Sequence, residues 1–312
     1  MSFTVRSCIA VSALILTFVL LLVSPVTLKA PSTQPRLIGV SVHSLTTREA
    51  DLAKLIGVQW VRADVAEIPN QYSFGEIVAN AKSRGFNVLG ILDIWTMKWK
   101  WNFTLNDWKK AVTTSVTQYK DDVNAWEIWN EPEYPSNPIT PEKYFAMLSI
   151  AYSIIKDYAP HAKVLMGGGL QLNTGGDPWL AHDEAFAKRL SELGADQYAD
   201  GISFHAYPWT NTVANWVWER DDQSLAFYRS LFKNNLEVWI TETGFPAQDA
   251  GEASQAAYLT TAFSFFGARA VATFWYELRD TAYSDPTPTF GLLTGTLTPR
   301  AAFYSFQTLL TG

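Results

Sequence analysis

Eight times along this chain a short run of strand-forming apolar residues gives way to a connecting segment, most often with helical spacing, and that alternation limits the possible folds more than any other feature. The strand-like runs are Leu37–Val42, Gln59–Asp64, Asn87–Asp93, Ala125–Asn130, Val164–Gly168, Gly201–His205, Glu237–Thr241 and Val271–Tyr276. Helical spacing marks Glu49–Leu55, Glu76–Ser83, Tyr144–Tyr158, Glu184–Leu193, Leu225–Phe232 and Gln255–Phe266, and Thr298-Pro299 reads as the cap and first residue of a last helix. Strands that are apolar on both faces belong in a parallel sheet covered by helices. Eight such units in about 275 residues predict a closed (β/α)8 barrel, the α/β TIM-barrel class, as a single domain over 31–312. An open doubly wound sheet would carry a ligand loop at its switch point, and Gly167-Gly168-Gly169 lacks the register of one. Helix-to-strand turns such as Ser83-Arg84-Gly85-Phe86 are short, whereas several strand-to-helix loops are long, which assigns function to the C-terminal ends of the strands.

Residues 1–30 stand apart in composition. Arg6 precedes an apolar run, Ile9–Val23, interrupted only by Ser12 and Thr17 and followed by Pro25 and Leu28-Lys29-Ala30. The run is short, as in a secretory signal peptide; an uncleaved membrane anchor is the second reading. Either one predicts a secreted or extracytoplasmic domain that meets a membrane only through this segment. The single cysteine, Cys8, lies there, so the rest of the chain has no disulfide. Removing residues 1–30 takes away Arg6, Lys29 and no acid, moving the formal charge from −6 to −8. A chain that acidic, with no basic run, is poorly suited to nucleic acid. Four histidines without ligand spacing argue against zinc, and neither a metal nor a cofactor is expected. Nothing in the sequence bears on oligomeric state.

Two strand ends carry acids. The first motif is Trp126-Glu127-Ile128-Trp129-Asn130-Glu131-Pro132 and the second is Val238-Trp239-Ile240-Thr241-Glu242-Thr243-Gly244-Phe245-Pro246. A carboxylate at the end of a buried strand is costly unless it is solvated or used. Two at one barrel mouth are what cleaving a glycosidic bond requires, one to protonate the leaving oxygen and one to attack the anomeric carbon. Glu131 and Glu242 are therefore the candidate catalytic pair.

At these strand ends the chain resembles clan A of the glycoside hydrolases, the retaining (β/α)8 enzymes, most closely families 5 and 39. The resemblance implies that Glu131, in Asn-Glu-Pro on the fourth strand, is the acid/base, that Asn130 contacts a sugar hydroxyl, and that Glu242 on the seventh strand is the nucleophile. It implies further that Arg62 holds the nucleophile ionised, that His205 and Tyr207 flank the two carboxylates, and that Trp275 floors the subsite where the bond breaks. One position departs: family 5 commonly has a histidine at the end of the third strand, where this chain has Asp93-Ile94-Trp95. The stretch Tyr276-Glu277-Leu278-Arg279-Asp280, with Phe290-Gly291-Leu292 downstream, looks more like family 39.

The residues themselves suggest how two glutamates divide the work. Glu242 should be kept anionic by Arg62 and by a hydrogen bond from Tyr207. Glu131, between Trp129 and Pro132 and beside an anion, should begin the cycle protonated and act as base once Glu242 is esterified. Arg62 has another possible partner in Glu127, which shares strand parity with Glu131. Glu127, Glu133, Asp64 and Glu277 are expected to be structural or to orient substrate. Of the thirteen tryptophans, Trp60, Trp126 and Trp239 are expected to pack beneath helices. Trp95, Trp99, Trp101, Trp179, Trp209, Trp216 and Trp218 fall at strand ends or in loops, where indoles could stack on a sugar chain, and Gly167–Gly169 would let substrate approach the fifth strand. The expected activity is a retaining, endo-acting β-glycoside hydrolase on an oligosaccharide or polysaccharide; a transglycosylase using the same glutamates and a non-catalytic carbohydrate-binding barrel are the alternatives.

Overall fold

In a computed structural model the described residues are 37–134, 137, 139–167, 178–208, 215–233, 236–281 and 289–309. The N-terminal apolar segment, Gly168, Gly169 and Trp209 lie outside them. Strand β1 is Leu37–Ser41, followed by α1, Thr47–Leu55, then β2, Trp60–Asp64. A two-rung antiparallel hairpin, β3 (Glu67–Ile68) and β4 (Tyr72–Ser73), leads into α2, Phe74–Arg84. Next come β5 (Asn87–Leu92), α3 (Leu105–Tyr119), β6 (Ala125–Ile128), α4 (Pro141–Tyr158), β7 (Lys163–Met166) and α5 (Pro178–Leu193). A 3-10 turn at Ala195–Tyr198 precedes β8 (Gly201–His205) and α6 (Asn215–Leu231). The chain ends with β9 (Glu237–Thr243), the short α7 (Ala247–Ala250), α8 (Glu252–Gly267), β10 (Ala272–Trp275) and α9 (Ala301–Thr308).

Eight of these strands close into a parallel barrel in the order β1-β10-β9-β8-β7-β6-β5-β2, so every neighbour is a sequence neighbour except where β10 meets β1 and the β3–β4 hairpin intervenes. All eight coincide with the apolar runs in the sequence, and the (β/α)8 expectation holds. Residues 33–312 form one compact unit. Among the described residues no helix is long and apolar enough to cross a membrane.

Local chemistry sets the helix starts. Thr46 and Glu49 form a reciprocal capping box for α1, and Thr104 and Asp107 form another for α3. Thr140 caps α4, with Pro141 in its first turn. Helix α2 stops at Gly85, whose φ of 74° a glycine adopts without a Cβ penalty. The spacing Trp108, Val112, Val116, Tyr119 buries one face of α3, a helix not singled out from the sequence although both its cap and its apolar stripe were visible there. The last helix begins at Ala301, not at Pro299: Leu293 and Pro299 form a bridge and Arg300 N–H donates to Leu292 O, so Thr298-Pro299 belongs to a turn.

Two apolar regions hold the barrel. The larger lies between strands and helices and includes Trp126. The smaller plugs the lumen floor with Trp60, Leu89, Ala125, Leu165, Trp239, Ala272 and Phe274. Trp60 and Trp239 therefore point inward, contrary to expectation, and meet edge to face at 5.4 Å. Strand alternation from these residues puts Arg62, Glu127 and His205 on the lumen side one or two layers higher. At Gly39 a Cβ would lie 2.4 Å from the Phe274 ring, so β1 needs glycine there to admit the plug.

Candidate active site

Arg62, at 3% exposure, is the hub of the upper lumen. Its Nε donates to Glu127 Oε2 at 2.6 Å, its Nη1 to Glu242 Oε1 at 2.6 Å and its Nη2 to Asn130 Oδ1 at 2.9 Å. The two roles weighed for Arg62 are thus held at once: it neutralises the fully buried Glu127 and it grips Glu242. Glu127 also accepts from Thr241 Oγ1 at 3.0 Å.

Glu242 owes its direction to an irregularity in β9. Ile240 pairs with Phe204, yet Glu242 pairs with His205, and on the other edge the register slips between Thr273 and Trp275. One extra residue is inserted, a β-bulge of a kind rare in parallel sheets. Without it, alternation from Trp239 and Thr241 would send Thr243 inward and Glu242 toward the helices. With it, Thr241 and Glu242 both face the lumen, and Thr243 turns outward to donate to Ala206 O and bond Tyr258 OH of α8.

The second oxygen of Glu242 accepts from Tyr207 OH at 2.7 Å. Burial tends to raise the Glu242 pKa, but the charges of His205 and Arg62 and the Tyr207 hydrogen bond outweigh it and hold the carboxyl below its ordinary value. Burial, with Glu242 second, pushes the Tyr207 phenol well up, so it stays a donor.

Glu131 sits opposite on the loop after β6, where Trp129 and Glu131 both have positive φ, 71° and 46°. His205 stands between the two acids: Nδ1 is 2.9 Å from Glu131 Oε1 and Nε2 is 3.7 Å from Glu242 Oε1. Burial opposes charging the imidazole, but Glu242 and Glu131 prevail and its pKa is raised.

These groups open into a cavity of about 290 Å³ lined by Ser41, Arg62, Asp64, Asp93, Trp95, Asn130, Glu131 and Glu242 together with His43 and Tyr276. His43 and Tyr276 were not anticipated from the sequence; their rings are in edge contact and His43 Nε2 lies 3.2 Å from Tyr276 OH. Burial lowers the His43 pKa to about 4, despite the nearby Glu242. His43 also borders a neighbouring groove of about 470 Å³ between the β1–α1 loop and the β3–β4 hairpin.

Trp275 is not in this cavity. Ala272 and Phe274 point inward, so Trp275 points outward, fully buried, with its indole N–H donating to Phe290 O at 2.9 Å and its ring against Tyr258. The next inward position belongs to Tyr276. Trp95 does line the cavity, half-buried, and with Trp99 at 4.9 Å and Tyr72 at 6.2 Å forms an aromatic wall beside it. Trp99 is 54% exposed. Trp101 instead packs on Trp129, and Trp218 stacks on Tyr258 beneath α8. A Cβ on Gly167 would meet the Ile128 and Trp129 carbonyls at 2.5 and 2.7 Å, so that glycine makes room for the adjacent backbone and not for substrate.

Asp64 and Asp93 both line the cavity, from the ends of the adjacent strands β2 and β5. Burial raises Asp64 to about 6 even against Arg62, and burial with the charge of Asp64 raises Asp93 well above the carboxylate range. Among the described residues no group of histidine, cysteine, aspartate and glutamate is arranged to hold a metal.

Residues 69–281 match the family model for cellulase (glycosyl hydrolase family 5). A curated relative, the probable glucan endo-1,3-beta-glucosidase eglC of Aspergillus terreus, is 26% identical over 66% of this chain and 44% of its own length. The namesake from Aspergillus niger is 31% identical over 33% of the chain and 25% of its own. The chain thus spans less than half the length of these relatives. Among solved structures, a family 39 glycoside hydrolase from Bacteroides cellulosilyticus superposes with a TM-score of 0.67 at 22% identity, covering 88% of this chain and 63% of that one. GH5_18 from Streptomyces cattleya, in complex with GlcNAc, gives 0.68 at 14% identity, covering 90% and 80%.

Proposed function

Because the chain belongs to glycosyl hydrolase family 5, we propose that its barrel cleaves β-glycosidic bonds within a polysaccharide, with retention of anomeric configuration. The observation that carries this reading is the unequal setting of two acids in one cavity. Glu242 is clamped by Arg62 and Tyr207 and held ionised, whereas Glu131 faces it across a single imidazole.

In this mechanism Glu131 protonates the departing glycosidic oxygen as the Glu242 carboxylate attacks the anomeric carbon, giving a covalent glycosyl-enzyme. With a hydrogen on Nδ1, His205 donates to Glu131 Oε1 and leaves Oε2 for the proton being delivered. Esterification removes the negative charge of Glu242, and Glu131, now a carboxylate, draws a proton from the incoming water. Asn130, fixed by Arg62 through its Oδ1, turns its amide N–H group toward the sugar. Trp95 offers an apolar face for the ring.

The relatives' printed activity makes β-1,3-glucan the first substrate to try. The groove beyond His43 gives a chain room to continue past the cavity, which favours internal cleavage. Residues 1–30 would direct the domain outside the cytoplasm. The test is hydrolysis of β-1,3-glucan, β-1,4-glucan, mannan, xylan and galactan, with proton NMR of the first anomer released. Glu242→Gln should lose at least about 10³-fold in kcat while still binding oligosaccharide. Inverted product, or unimpaired turnover by that variant, overturns the assignment, and products longer than the starting oligosaccharide would indicate glycosyl transfer.

A further inference from the structure

We propose that Arg220 is a positioning residue for the reaction: it holds the main chain at Tyr207 and so fixes the phenol that hydrogen-bonds the nucleophile Glu242. This rests on the reading of Glu242 as nucleophile and extends the machinery to a residue outside the cavity lining.

Tyr207 lies past the end of β8, which closes at His205. The last rung toward β9 is Ala206 N–H donating to Glu242 O at 2.9 Å. Beyond it the chain runs into Pro208, which has no N–H. The peptide joining Tyr207 to Pro208 therefore has one polar handle, the Tyr207 carbonyl, and Arg220 Nη2 of α6 donates to it at 2.8 Å. The preceding carbonyl, on Ala206, is held separately by Thr243 Oγ1 at 2.7 Å and by Tyr258 OH of α8 at 3.3 Å. Two successive carbonyls are thus pinned from outside the lumen. A tyrosine side chain has only two torsions, so a pinned backbone leaves its phenol little freedom. Here that phenol reaches Glu242 Oε2 at 2.7 Å.

Arg220 is itself fixed. Its Nε and Nη2 both donate to Asp221 Oδ1, at 3.1 and 2.8 Å, and Asp221 is fully buried while Arg220 is only 5% exposed. Burying such a pair costs desolvation that its mutual attraction often does not recover, and an apolar pair of similar size would hold α6 to the barrel as well. Packing alone gives no reason for the guanidinium; the carbonyl it grips does. Arg220 acts by position and not by field, since the charges that keep Glu242 ionised are those of His205 and Arg62.

The experiment is a double-mutant cycle over Arg220→Met and Tyr207→Phe, with Arg220→Lys beside it. One readout is the titration of the Glu242 carboxyl, followed by carbon-13 NMR in glutamate-labelled protein and assigned with Glu242→Gln. The other is kcat and KM on a linear β-1,3-glucan pentasaccharide. Tyr207→Phe should raise the Glu242 pKa by about 1–2 pH units and lower kcat roughly 10- to 100-fold, as expected for one lost hydrogen bond to a charged group. Arg220→Met should move both in the same direction, with KM changed by less than about 3-fold, and should add almost nothing once Tyr207→Phe is present. Arg220→Lys, which keeps a donor, should recover part of the loss. A merely structural Arg220 would lower stability, leave the Glu242 titration in place and reduce kcat by the same factor in either background; that result overturns the proposal. Should Arg220→Met not fold because Asp221 is left without its cation, Arg220→Met/Asp221→Asn, which removes both charges, is read in its place. The titration needs no substrate, so a coupled shift in a protein that cleaves no glycan would refute the hydrolase reading and leave the hold of Arg220 on Tyr207 and Glu242 standing.

Discussion

Replacing Arg62 with methionine tests the electrostatic core of the site. Methionine keeps much of the side chain's length and removes the charge and all three donor contacts. An opposite charge within hydrogen-bond range typically lowers a carboxyl pKa by 1–3 units. Losing it should move the acid limb of the kcat/KM–pH profile, which reports ionisation of Glu242, upward by about 1–3 pH units. Two charge-assisted bonds to the reaction site, on Glu242 and Asn130, disappear, so kcat/KM at the optimum should fall by at least about 100-fold. Stability should fall too, because Glu127 and Glu242 become buried charges without their cation; removing one partner of such a cluster costs about 3–5 kcal/mol, or roughly 10 °C in Tm. The sign follows from linkage. The depressed pKa of Glu242 contributes stability above the unfolded-state pKa and loses it as pH falls through the folded value. The variant should therefore lose most at neutral pH and least in acid. Adding Glu127→Gln to Arg62→Met removes the second stranded charge and should restore most of the stability while activity stays low. An acid limb that stays in place in the single variant, or full activity in the double one, would show that Arg62 serves only Glu127, and the reasoning fails.

Two further outcomes are expected. Burial raises Glu277 to about 8 in the fold, against the hydrogen bonds from Thr281, so it is protonated when folded and ionised when unfolded between about pH 4.5 and 8; wild-type stability then declines as pH rises through that window. Glu277→Gln should remove this decline and gain up to a few kcal/mol near pH 8 by denaturant unfolding, whereas parallel pH dependences would contradict it. With His43 and Glu277 both uncharged at neutral pH, their 3.5 Å contact is a neutral one and not an ion pair. Gly39→Ala should cost about 1–3 kcal/mol in thermal unfolding, because its Cβ would enter the Phe274 ring space; a change under about 0.5 kcal/mol would mean the lumen floor is loosely packed.

The barrel was legible because eight apolar runs are a strong periodic signal, and the strand-end acids were legible because few other reasons exist to put glutamate there. What escaped was direction. Phe274 could face either way on an apolar strand, and only the plug with Trp60 and Trp239 shows it turning inward, which sends Trp275 out and Tyr276 into the cavity. Helix α3 escaped although Thr104, Asp107 and the Trp108–Tyr119 stripe announced it. Asp64 and Asp93 come from two strands whose adjacency follows from the barrel, but no rule of spacing sends both to the cavity wall.

The bulge in β9 bears on how this site can change over time. Most substitutions in a barrel strand alter one side chain and leave the others aimed as before. Deleting Thr241, the one residue between Ile240 and Glu242, would restore strict alternation yet leave Glu242 opposite His205 and facing the lumen, at the cost of the hydroxyl that donates to Glu127. Regularising the strand at its present length is the damaging change, because it would turn Glu242 toward the helices and bring Thr243 inward. The aim of the carboxylate is thus held by an insertion, and a slip of register there would take the anion out of the cavity with every residue unchanged.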